Sequence, residues 1–206
     1  MNKYRVIIYI DGFNLYYGLK ENHWEKYFWL NYINFFEKFL GDNQTLVKVK
    51  YFTAKPDNPS KAKRQDKLFQ VNSENEKFEL IYGSYLNKRI YCPKCHETFE
   101  VPEEKKTDVN IATHLIGDVI NNDCDISILV SGDSDLTPPI EFIKRVSPKH
   151  NINVFFPPKR QSLHLKNLAN NIVYLSNYKQ YFKESQFPDE VKLRDGYVIK
   201  KPESWV

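Results

Sequence analysis

What is scarce in the 206-residue sequence narrows its class first. No stretch of about 18 apolar residues occurs, so no membrane-spanning helix is expected. Cysteine appears three times, two of them in Cys92-Pro93-Lys94-Cys95, which is too few for the disulfide framework of a secreted protein. The N-terminal Met1-Asn2-Lys3-Tyr4-Arg5 leads straight into a strand-like run and lacks a signal-peptide cleavage pattern. These absences predict a cytoplasmic protein. A second Cys-x-x-Cys is also missing. Tetrahedral structural zinc takes four ligands, and His96 with the remaining Cys124 does not complete a set around Cys92 and Cys95. No zinc is therefore expected within a single chain, and a knuckle there would need help from outside it. No Ser-His-Asp or Cys-His grouping with supporting context is present, which disfavours covalent catalysis. Internal repeats and low-complexity tracts are absent.

The residues that are present describe a soluble globular chain. Hydrophobic content is 41% and charged content 27%, enough to bury a core. Net charge is +4 with a pI near 8.7. A weakly basic surface suits a polyanionic partner, and it equally suits an ordinary basic protein.

Apolar periodicity gives the order of elements. Residues 4–10 form a short, continuous apolar run that reads as a buried parallel strand, and 47–52, 78–85, 126–130, 152–156 and 172–175 read as further strands. Helical spacing covers 13–22, 29–40, 60–75 and 107–121. Thr137 is placed as the cap of a further helix, with Pro138 in its first turn. Strand and helix alternate, so the fold class is α/β: three layers, with helices on both faces of a central, mainly parallel sheet. The stretch 86–104 interrupts the alternation and reads as a hairpin inserted into a domain spanning 1–180. Residues 181–206 read as an irregular tail.

Four aspartates carry the chemistry. Asp11 ends the first strand and opens Asp11-Gly12-Phe13-Asn14; Asp133 and Asp135 follow the 126–130 strand in Ser131-Gly132-Asp133-Ser134-Asp135. Carboxyl ends of strands in an open parallel sheet form the ligand crevice. Asp108 starts the 107–121 helix and falls near the middle of its apolar arc, so it is expected to face the sheet. Each Asp also has a bland role, in a turn, at a cap or in the first turn of a helix. Together they predict one acidic pocket, and crowded carboxylates call for a cation. Oxygen-only ligands suit magnesium or manganese, which stabilise phosphoryl transfer.

The segments Tyr9-Ile10-Asp11-Gly12-Phe13-Asn14, Lys105-Lys106-Thr107-Asp108-Val109 and Leu129-Val130-Ser131-Gly132-Asp133-Ser134-Asp135-Leu136 resemble, in order and spacing, the NYN domain over roughly residues 4–175. This is a PIN-like nuclease family that includes the bacterial proteins described as DUF88 or LabA-like. The resemblance implies a PIN-like α/β/α sandwich and a magnesium-dependent ribonuclease acting on RNA. It implies that Asp11, Asp108, Asp133 and Asp135 are the metal-binding carboxylates, with Asn14 and Ser131 as supporting polar residues. Many members carry a further Asp about six residues past the helix-motif Asp; His114 stands there, and Asp118 is the nearest acid. On the helical wheel neither squarely faces the sheet.

Lys61, Lys63, Arg64, Lys67, Lys88, Arg89, Lys105 and Lys106 are candidates to rim the pocket and hold phosphates, with Lys105 and Lys106 best placed. Tyr16, Tyr17, Tyr85 and Tyr91 are candidates to stack on bases. The alternative to catalysis is a nucleic-acid-binding or regulatory module on the same fold. A third reading is a metal-dependent phosphatase of small substrates. Oligomeric state, a homodimer included, is left open.

Overall fold

The computed structural model describes residues 3–205, the side chains of residues 86, 87 and 101–104 apart. Met1, Asn2 and Val206, which the expected ranges include, lie outside the described residues. Six strands form one sheet: β1 (Tyr4–Asp11), β2 (Gln44–Thr53), β3 (Phe78–Tyr82), β6 (Ile126–Val130), β7 (Asn151–Phe156) and β8 (Asn171–Tyr174). Their order is β3-β2-β1-β6-β7-β8, and every neighbouring pair is parallel. The chain steps outward from β1 to β3, then returns to the other side of β1 as β6 and steps outward again. The strand order therefore reverses between β1 and β6, the position where ligands bind in open parallel sheets.

Both faces of the sheet are covered, which is why β1, at its centre, is buried and apolar over Val6–Ile10 without alternation. Val6, Ile8 and Ile10 pack on one side, Ile7 and Tyr9 on the other. The first face carries α1 (Gly12–Glu21), α2 (Tyr32–Glu37) and α3 (Pro59–Ser73). Its core is aromatic, with Trp29, Phe35, Phe36 and Tyr51 buried. The second face carries α4 (Thr107–Ile120), α5 (Thr137–Val146) and α6 (Leu163–Leu168), through Ile111, Leu115, Ile140 and Leu165. Among the described residues, no helix is long and apolar enough to cross a membrane.

Three local expectations change. The helix expected over 29–40 contracts to α2, because Leu30 bridges to Gln186 and Asn31 N–H donates to Ser185 O at 2.9 Å; Asn31 then caps the helix from outside. The strand expected over 78–85 ends at Tyr82. Gly83 N–H donates to Thr53 O at 2.7 Å, and the chain leaves the sheet as β4 (Ser84–Tyr91), which pairs antiparallel with β5 (Thr98–Lys105) in a separate hairpin. Thr137 is the first residue of α5 rather than its cap, and its hydroxyl donates to Ser134 O at 2.8 Å.

The tail is not irregular. It contains α7 (Lys179–Glu184) and the antiparallel pair β9 (Glu190–Lys192) and β10 (Val198–Lys200). Phe182, Ile199 and Trp205 are buried in the aromatic core. Its short apolar groups, such as Tyr181-Phe182 and Tyr197-Val198-Ile199, are too few and too irregularly spaced to show a period, so packing rather than pattern orders this segment.

Candidate active site

The site is assembled at the β1/β6 switch point. Ile10 is in register with Val130, so Asp11 and Ser131 emerge side by side where these strands end. Asp11 is 2% exposed. It caps α1 by accepting the Asn14 backbone N–H at 3.0 Å, and it also accepts Asn14 Nδ2 at 2.6 Å and Ser131 Oγ at 2.8 Å. Two glycines allow this close approach. A Cβ on Gly12 would meet Phe52 O at 2.6 Å, and one on Gly132 would meet Gln161 N at 2.8 Å. Asn14 Oδ1 accepts Gly132 N–H at 3.1 Å, which ties the two strand-end loops together. Ser131 Oγ accepts Asp133 N–H at 3.0 Å, and Asp133 Oδ1 accepts Asp135 N–H at 2.9 Å.

One carboxylate oxygen from each of Asp11, Asp108 and Asp133 lies within 4.8 Å of the other two. Among the described residues this is the only group of three or more His, Cys, Asp or Glu side chains with that spacing. Asp135 is exposed and stands outside the trio, although its charge reaches Asp108. Asp108 reaches the pocket differently from the expectation of an inward-facing carboxylate. It is exposed, and its neighbour Thr107 is the buried residue. The first turn of α4 meets the carboxyl end of β3, where Asn110 Nδ2 donates to Tyr82 O at 3.4 Å, and Asp108 on that turn joins Asp11 and Asp133.

The electrostatics are those of crowded carboxylates. Burial pushes Asp11 above its usual range, against the stabilising donation of Asn14 and Ser131; Asp133 adds a smaller push in the same direction. Asp108 is pushed up to about 6, first by partial burial and then by Asp11, Asp133 and Asp135. An all-oxygen trio strained in this way fits a hard divalent cation, which would relieve the repulsion.

The sequence reading missed two groups. Lys159, Arg160 and Gln161, in the loop after β7, line a polar cleft of about 310 Å³ together with Asn14, Gly132 and Asp133. Arg160 is ion-paired with Glu21. Nothing in the residue types marks this loop, except that it too follows a buried strand. The second group lies under α4. Asp118 is 8% exposed, contrary to the wheel, and is ion-paired with Lys50 at 2.7 Å. Tyr9 Oη donates to Asp118 Oδ2 at 2.7 Å. His114 is also turned inward: its Nδ1 is 3.2 Å from Lys50 Nζ, and its ring packs edge-on to Phe52. A lysine in the centre of β2 was the available signal.

Other predicted residues disperse. Lys105 and Lys106 are exposed at the entrance of α4, with Lys106 in a left-handed conformation at φ 76°. Lys61, Arg64, Tyr16, Tyr17 and Tyr85 surround a cavity beside Gly12. Lys67 instead donates to Lys200 O at 3.2 Å, and Arg89 pairs with Glu100 at 3.1 Å. Cys92 and Cys95 are free thiols at the turn of the hairpin. Backbone N–H groups of Cys95 and Lys94 push the Cys92 thiol down. His96 Nδ1 lies 2.6 Å from Tyr91 Oη.

Comparison with known proteins gives three findings. The NYN domain model matches residues 5–176. The 6-hydroxy-3-succinoylpyridine 3-monooxygenase of Pseudomonas putida is 28% identical over 244 residues, spanning 98% of this chain and 75% of that protein. A crystal structure of a protein of unknown function from Vibrio parahaemolyticus superposes with a TM-score of 0.57 at 24% identity, covering 84% of this chain and 93% of the other. That structural likeness concerns the fold alone, a parallel sheet between layers of helices. With a domain match that runs from β1 through β8 and spans the whole acidic pocket, the chain belongs to the NYN domain family.

Proposed function

We propose that this chain is a divalent-metal-dependent ribonuclease that hydrolyses RNA phosphodiesters endonucleolytically. The observation that carries the reading is the trio Asp11, Asp108 and Asp133 at the switch point of a family typified by nucleases. Asp11 is the fixed member, locked by three hydrogen bonds. Asp133 is set by its place in the Ser131 turn, and Asp108 completes the trio from α4. Magnesium or manganese, held by these oxygens, would lower the pKa of a bound water and neutralise charge on the scissile phosphate. Asp135 is close enough to act on Asp108 and is left to orient the attacking water. Asn14 and Ser131 keep Asp11 aimed. Lys105 and Lys106 meet phosphates flanking the site from the entrance of α4.

The test is cleavage of structured and single-stranded RNA in magnesium, manganese or chelator, for wild type and Asp133→Asn. Metal-dependent cleavage lost in Asp133→Asn is expected. RNA binding with no cleavage under any metal would favour the binding-module alternative. One observation supports a reading of a different kind, the monooxygenase name of the Pseudomonas putida relative. A parallel arm with a hydroxylated succinoylpyridine, a reductant and oxygen tests it, since a ring-hydroxylated product would displace the nuclease reading.

A further inference from the structure

A cavity of about 150 Å³ lies between α1 and α3, on the aromatic face of the sheet. That is about ten times the roughly 15 Å³ that admits one water, so it has room for a ring. Phe13, Tyr16 and Tyr17 of α1 contribute to its wall, as do Tyr85 of the hairpin and Trp205 of the tail. Gly12 and Thr53, at the carboxyl ends of β1 and β2, also line it, so the cavity lies next to Asp11 at the edge of the sheet that carries the acidic trio.

Three polar residues on α3 say what the ring should carry. Gln65 Nε2 donates to Thr53 Oγ1 at 3.2 Å, while the Thr53 hydroxyl itself donates to Ala54 O at 3.4 Å; Gln65 Oε1 is buried and has no partner among the described residues. A buried acceptor left unsatisfied is costly, and an N–H donor on a guest would relieve it. Lys61 and Arg64 also line the cavity, and neither forms an ion pair among the described residues. The guest that fits is therefore planar, carries an N–H on its edge and bears an anion. A nucleotide has all three features, and aromatic walls accept any base face.

We infer that the cavity receives one unpaired base of an RNA strand, with Gln65 Oε1 accepting from the base edge and Lys61 and Arg64 meeting a neighbouring phosphate. The inference rests on the ribonuclease reading and adds that the substrate is single-stranded beside the scissile bond. Because each natural base presents an N–H donor, the subsite holds a base without selecting strongly among the four.

The experiment separates the subsite from the chemistry. Full-length Asp133→Asn protein in chelator is titrated with a short labelled oligouridylate and with an abasic strand of equal length, followed by fluorescence anisotropy. Added uridine 5′-monophosphate serves as competitor. The intact strand should bind at least about tenfold more tightly, the size expected of one stacked base. Adding Gln65→Leu should remove most of that ratio while leaving the abasic strand's affinity unchanged. Lys61→Ala with Arg64→Ala, at the cavity rim, should weaken both strands and serves if Gln65→Leu lowers the melting temperature. A ratio between intact and abasic strands that is indifferent to Gln65 overturns the inference. So does Gln65-dependent binding of the monophosphate with no effect on strands, which would assign the cavity to a free nucleotide. Metal-dependent cleavage by the wild type together with an indifferent ratio leaves the nuclease reading standing and removes the subsite. A Gln65-dependent ratio in a protein that cleaves no RNA removes the nuclease reading and retains the base site.

Discussion

Lys50 Nζ lies 2.7 Å from Asp118 Oδ2, and the two side chains are only 9% and 11% exposed. The pair joins the middle of the sheet to α4, the helix that carries Asp108, and Tyr9 and His114 complete its shell. Asp118→Leu would leave a buried ammonium without its anion, at an expected cost of about 3–5 kcal/mol. Lys50→Met combined with Asp118→Leu should recover most of this loss, because an apolar pair of similar size often replaces a buried ion pair without penalty. Urea unfolding of Asp118→Leu, Lys50→Met and the double variant measures both effects. Single variants within about 1 kcal/mol of wild type would mean that the pair behaves as a solvated surface contact.

Asp108 and Asp11 should respond oppositely to neutralisation. Asp108 is exposed and repelled by its neighbours, so Asp108→Asn should raise the melting temperature in chelator by about 2–4 °C, the equivalent of roughly 1 kcal/mol in a chain of this size. Asp11 accepts three hydrogen bonds and caps α1, so Asp11→Asn should lower it. Both variants should lose magnesium-dependent stabilisation. Calorimetry with and without magnesium decides the matter, and a destabilised Asp108→Asn would count against the repulsion argument.

In the metal-free protein the contribution of Asp108 to stability should fall as pH rises from about 4 to about 6. Asp108 is pushed up to about 6, above its value near 4 in an unfolded chain. Between those values the folded state binds more protons than the unfolded state, so the unfolding free energy falls with increasing pH. Asp11 shifts in the same direction. Magnesium requires the ionised carboxylates, so its affinity should rise across the same window. The slope of melting temperature against pH in chelator should be more positive for Asp108→Asn than for wild type; identical slopes would refute the assignment to Asp108.

Lys105→Ala with Lys106→Ala should weaken RNA binding across sequences and flatten its salt dependence. For single strands the log–log slope should fall by roughly 0.7 for each phosphate that is no longer neutralised. Magnesium affinity should change far less, since an ammonium is no metal ligand. An affinity series in potassium chloride reads the slope, and an unchanged one would place these lysines away from the bound strand.

Periodicity made the α/β/α sandwich legible. The runs at Val6–Ile10 and Ile126–Val130 are too short and too continuous for helices, and buried parallel strands have that appearance. It also located Asp11 and Asp133 at strand ends. The wheel failed at Asp108 and Asp118 because it describes direction about a helix axis and not where the sheet beneath stops. Asp118 meets Lys50 of β2 and is buried, whereas Asp108, one helix turn in from the hairpin, is exposed beside Asp11 and Asp133.

The sequence by itself determined the order of the six sheet strands and of α1 to α5, the family pattern and the aspartates that follow strands, since each is written in local spacing. The tertiary structure decided which carboxylates meet: Asp11, Asp108 and Asp133 converge while Asp135 stays outside. It also decided that Lys50 finds Asp118, that Arg160 borders the site, and that Phe182 and Trp205 turn the tail into part of the core. These are distances across the β1/β6 switch point and between the layers, between residues tens of positions apart or more. They depend on how the crossovers return the chain, which no local period records.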